Sequence, residues 1–157
     1  MLEYHLKVLK ESLAILNDIK NELKKKYGKI NEEAYEEIRY LDIKSLDTLA
    51  YRFSKIQSLL GEKVFKEILE ELEYDLANKS YIDILDYIEK EGIIESVFEW
   101  KRLKEIRNSL SHDYPEEITY IVKAINEMLN SIEKFDKIIK RIEEKYEYAN
   151  KIKQTRD

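Results

Sequence analysis

The sequence predicts an all-α fold, an antiparallel up-and-down helical bundle of five to six helices forming one domain over residues 1–157. Three observations carry this reading. Apolar residues recur every three or four positions along most of the chain, the spacing of one helix face. Glycine (3) and proline (1) are too scarce for the many turns of an all-β protein. No stretch alternates apolar and polar residues in the manner of a half-buried strand.

The elements follow in order. Leu2, Leu6, Leu9, Leu13, Leu16, Ile19, Leu23 and Tyr27 share one face of a first helix that runs to about Lys26, and Gly28 ends it. Asn31 caps a second helix, with Glu32 and Glu33 favourably placed in its first turn. Its stripe of Ile38, Leu41, Leu49, Phe53, Ile56 and Leu60 predicts one continuous helix up to a boundary at Gly61. A third helix carries Val64, Ile68, Leu72 and Leu76. Ser80 and Asp83 are spaced as a capping pair for a short fourth helix, Ile82 to Lys90, closed by Gly92.

The fifth helix is expected over Ile94 to Ser111, with Val97, Trp100, Leu103, Ile106 and Leu110 inward. Pro115 forces a break, because the residue before proline avoids the helical region. Asp113 and Glu116 then suit a capping box for a long last helix bearing Ile118, Ile121, Ile125, Met128, Ile132, Phe135, Ile139, Ile142 and Tyr146. The tail from Lys151 to Asp157 is expected to fray.

Composition narrows the function classes. The absence of cysteine excludes disulfides and zinc–thiolate sites. No apolar run approaches membrane-spanning length, and the N-terminal residues do not read as a signal peptide, so no membrane role and a cytoplasmic location are expected. The formal net charge of -5 makes non-specific phosphate binding depend on a local basic patch.

Chemistry concentrates in Arg107-Asn108-Ser109-Leu110-Ser111-His112-Asp113-Tyr114. His5, one of the two histidines, lies among leucines and lysines and reads as a surface or partly buried residue. His112 sits where the fifth helix must end, a place where a side chain can face a cleft. In an ideal helix the five residues from Arg107 to His112 turn through roughly 140°, so the two do not share a face. Unwinding of the helix end, or a second subunit related by a two-fold axis, brings such groups together.

Histidine titrates near neutrality and suits proton removal from a ribose 2′-hydroxyl. Arginine offers a planar fork matched to phosphate oxygens. Lys101, Arg102 and Lys104 form the local basic patch and are RNA-binding candidates. The plainer reading keeps its weight, since a histidine near a helix C-terminus is favoured by the dipole alone. Arg107 also has Glu105, Glu116 and Glu117 within reach as purely structural partners. A di-metal carboxylate bundle is excluded, because neither histidine has Glu three positions earlier. The His112-Asp113 pair lacks the further histidines that a metal-dependent phosphohydrolase needs.

The segment R-N-S-L-S-H-D-Y resembles the signature of HEPN domains, in the form Arg-Asn-x3-His-x-Tyr found in HepT-like proteins of toxin–antitoxin pairs. The stretch from Asp47 to Gln57 is also similar to this group. The resemblance implies a homodimer with the motif at the subunit interface and a minimal nucleotidyltransferase as partner. It implies metal-independent endoribonuclease activity on RNA, with no cofactor, leaving a 2′,3′-cyclic phosphate. Arg107 would stabilise charge at phosphorus and His112 would act as general base or acid. Asn108 and Asp113 would support the site, and Tyr114 would be the tyrosine that receives AMP. The Pro115 that follows Tyr114 implies an alternative, a non-catalytic substrate-binding or antitoxin subunit that partners a nucleotidyltransferase.

Overall fold

The computed structural model describes residues 1–110 and 117–156. They are all-helical, with no strand among the described residues. The elements are α1 (Leu2–Tyr27), α2 (Glu32–Leu41), α3 (Ile43–Leu59), a π-helical segment (Leu60–Val64), α4 (Phe65–Glu71), α5 (Tyr81–Lys90), α6 (Val97–Ser109) and α7 (Ile118–Arg156). The π segment joins α3 and α4 without a break, so the described residues make six helical rods. No helix among them is long and apolar enough to cross a membrane.

α1 packs chiefly on α3 and α7, and α6 lies against both α3 and α7. The apolar stripes meet in a core that includes Leu9, Leu16, Phe53, Phe65, Trp100, Leu103, Met128 and Phe135. Phe53 of α3 meets Phe135 of α7, and Phe65 of α4 meets Trp100 of α6, each with ring centroids 4.7 Å apart. Such tilted aromatic pairs add specific geometry to apolar burial.

Local signals set several helix ends. Asn31 accepts the amide of Ala34 at 2.8 Å. Ser80 and Asp83 form a reciprocal capping box before α5. Gly28 and Gly92 adopt φ of 66° and 73° at the ends of α1 and α5, a region open to glycine. α6 begins later than expected, because Ser96 caps it by accepting the Glu99 amide at 3.0 Å. Ile93 and Ile94 precede the helix yet remain buried.

Four expectations need correction. The helix expected from Asn31 to Gly61 is interrupted at Asp42, whose backbone leaves the helical region at φ -131°, ψ 30°. The Asp42 carboxylate is instead drawn to the end of α1, where it accepts hydrogen bonds from the Lys26 amine at 2.8 Å and from the Tyr27 hydroxyl. Gly61, expected as a boundary, lies inside the π segment. It serves close packing: a Cβ there would fall 2.8 Å from the Tyr81 hydroxyl oxygen and 3.1 Å from Trp100 Cζ2.

The third helix stops at Glu71 rather than continuing through Leu76. Glu73 takes a left-handed φ of 68°, while the Tyr74 amide reaches back to the Leu69 carbonyl at 3.0 Å. This closure satisfies carbonyls that the helix end leaves open. Finally, the tail expected to fray from Lys151 is helical through Arg156. Lys153 pairs with Glu71 and Arg156 with Glu73, tethering the last turn to the end of α4.

Candidate phosphate-binding site at the end of α6

Arg107 occupies the last turn of α6, where a cation complements the negative end of the helix dipole. Trp100 and Leu103, seven and four residues before Arg107 and so on its side of α6, are buried with Ile106 and fix the helix's rotation. The guanidinium therefore crosses to α3, although 50 residues separate it from its first partner there. Its Nη1 donates to Gln57 Oε1 at 2.7 Å and to Ser58 Oγ at 3.0 Å. Gln57 is 3% exposed, and Ser58 and Arg107 are half-buried.

Both partners are neutral. Among the described residues no carboxylate pairs with Arg107, although Glu105 stands one half-turn away along α6. Glu105 binds Arg102 at 3.0 Å instead. Among the described residues the positive charge of Arg107 is thus held in place by dipoles and not cancelled by an acid.

The expected basic patch divides in two. Lys101 and Lys104 are exposed and fall on one i, i+3 row with Arg107. Arg102 lies off that row and is engaged by Glu105 of its own helix and Glu127 of α7. Asn108 is half-buried beside Arg107. His112, Asp113 and Tyr114 lie outside the described residues, as do the break expected at Pro115 and the capping box expected between Asp113 and Glu116.

Gln57 and Ser58 were not singled out by sequence reasoning as site residues. Gln57 closes the Asp47–Gln57 stretch noted above, but its only individual signal is a polar residue on an otherwise apolar stripe, beside Phe53 and Ile56. A buried glutamine in that position requires a hydrogen-bond partner, and Arg107 supplies one.

His5 corrects another expectation. It is only 6% exposed, and its Nδ1 lies 2.6 Å from Glu67 Oε1. The contact ties the start of α1 to α4, far along the chain, and gives this histidine a structural partner.

No family model, no curated protein and no solved structure matches the chain.

Proposed function

We propose that the chain is a metal-independent endoribonuclease of the HEPN type, acting as a homodimer and paired with a minimal nucleotidyltransferase that regulates it by AMP transfer to Tyr114. The observation that carries this reading is the Arg107 guanidinium, anchored by two neutral acceptors and without a carboxylate partner among the described residues. Arg102 on the same helix is instead matched by Glu105 and Glu127. Lys101 and Lys104 extend the positive row towards which a phosphate backbone would be drawn.

In the proposed reaction His112, as general base, takes the proton of a ribose 2′-hydroxyl. The 2′-oxygen attacks phosphorus while Arg107 stabilises the charge gathering on the non-bridging oxygens. The bond to the 5′-oxygen breaks, and that oxygen leaves with a proton from a general acid. The products are a 2′,3′-cyclic phosphate and a 5′-hydroxyl. Asn108 and Asp113 support the site. An AMP group on Tyr114 adds bulk and negative charge two residues from His112 and excludes RNA.

A second reading, a non-catalytic substrate-binding or antitoxin subunit for a nucleotidyltransferase, is favoured by the net charge of -5 and by the neutralisation of Arg102. RNA cleavage in EDTA separates the two. Mass spectrometry first establishes that Tyr114 is unmodified. Wild type is expected to cut and leave cyclic phosphate ends. His112→Ala should be slower by about 10²–10⁴-fold, the usual contribution of a general acid or base. Arg107→Ala should lose at least about 10²-fold. No cleavage by wild type, or equal cleavage by all three proteins, removes the ribonuclease reading and leaves the binding subunit.

A further inference from the structure

The protons of Arg107 can be counted. Nη1 carries two, and they go to Gln57 Oε1 and Ser58 Oγ. Nε and Nη2 carry the other three, and among the described residues no acceptor meets them. That remaining edge of the guanidinium is a fork suited to two oxygens of one phosphate.

Gln57 has a role set by its chemistry. Because arginine only donates, the amide atom facing it must be the oxygen. Burial and the packing of α3 hold the Gln57 side chain, so it directs the guanidinium without neutralising it. Ser58 differs in one respect. Its oxygen accepts from Arg107, which leaves its own O–H to point elsewhere. Ser109 and Ser131 send their hydroxyls to the carbonyls of Glu105 and Glu127, four residues back. Ser58 makes no such bond among the described residues. A half-buried hydroxyl proton therefore stands beside the guanidinium, ready for an acceptor.

We infer that Gln57, Ser58 and Arg107 form a phosphodiester clamp, in which Gln57 positions the guanidinium and the Ser58 hydroxyl donates a second hydrogen bond to the phosphate that Arg107 holds. The choice of an RNA phosphodiester as ligand rests on the ribonuclease reading; the clamp itself rests on the α3–α6 geometry.

The test is binding, measured separately from cleavage. A fluorescent RNA oligomer carrying 2′-O-methyl groups throughout has no attacking hydroxyl, so anisotropy reports affinity alone. Ser58→Ala should weaken binding by about three- to tenfold, and Gln57→Glu by about tenfold or more. Gln57→Glu is the informative change, because a carboxylate still accepts from Arg107 and preserves the α3–α6 link while cancelling its charge. Its thermal midpoint should not fall below that of wild type. Its log affinity against log salt should become shallower by about 0.7, the loss of one phosphate contact to a single strand.

If Arg107→Ala loses affinity but Ser58→Ala and Gln57→Glu bind as wild type does, the clamp is wrong and the ribonuclease reading is untouched. If binding depends on all three residues yet natural RNA stays intact, the clamp stands and the ribonuclease reading falls. Wild-type affinity no better than that of Arg107→Ala overturns the clamp whatever the cleavage assay shows.

Discussion

Gly61, Tyr81 and Trp100 show how much one missing methyl group decides. The Tyr81 hydroxyl accepts the Trp100 indole N–H at 3.0 Å, and Trp100 is 1% exposed. A Cβ at position 61 would meet that hydroxyl at 2.8 Å. Gly61→Ala should therefore destabilise the fold by about 1–3 kcal/mol, through overpacking and loss of the indole's acceptor. Tyr81→Phe removes the same acceptor and also the obstacle. The two substitutions together should thus cost less than the sum of their separate effects, as urea midpoints of the four proteins would reveal. Simple additivity would mean that the Tyr81 hydroxyl is not what Gly61 accommodates. The same principle governs Gln57: its identity matters because of one atom on another helix, not because of its neighbours in sequence.

At the scale of elements, the break between α2 and α3 depends on Asp42. The Lys26 amine, followed by the Tyr27 hydroxyl, holds its carboxyl below the usual carboxylate range by hydrogen bonds to the charged form. A folded-state pKa below the unfolded one contributes stability above the unfolded value and loses it as pH falls through the folded value. Asp42→Asn should consequently be less stable than wild type near pH 7, with the difference shrinking on acidification below about pH 4. Thermal midpoints of both proteins across that range check it. A difference that does not change with pH would show that the Asp42 charge plays no part in anchoring the break. Neither the stripe Ile38, Leu41, Leu49, Phe53 nor any proline or glycine marks this position in the sequence. The continuous run through Gly61 was hidden for the opposite reason, because a residue that normally ends helices was used here for close approach.

At the scale of the whole molecule, the proposed ribonuclease needs a two-fold pairing that gathers two arginines and two histidines in one cleft. Light scattering of purified protein should then give about twice the chain mass of 18.9 kDa. A monomer that retained full cleavage activity would remove the shared cleft from the mechanism. By itself the sequence determined the helical class, the caps at Asn31 and Ser80, the stops at Gly28 and Gly92, and the buried face of α7 from Ile125 to Ile142. These are set by contacts within about one turn of helix, and such contacts are written in residue spacing. The sequence also singled out Arg107 by its residue type and position, but not what holds it. Tertiary structure alone decided that α1 draws Asp42 out of a helix, that Tyr81 of α5 and Trp100 of α6 require glycine at position 61, that His5 is buried against α4, and that α3 supplies Gln57 and Ser58 to Arg107. Each of these joins groups far apart in the chain, and their meeting is fixed by how the buried faces pack rather than by any local preference.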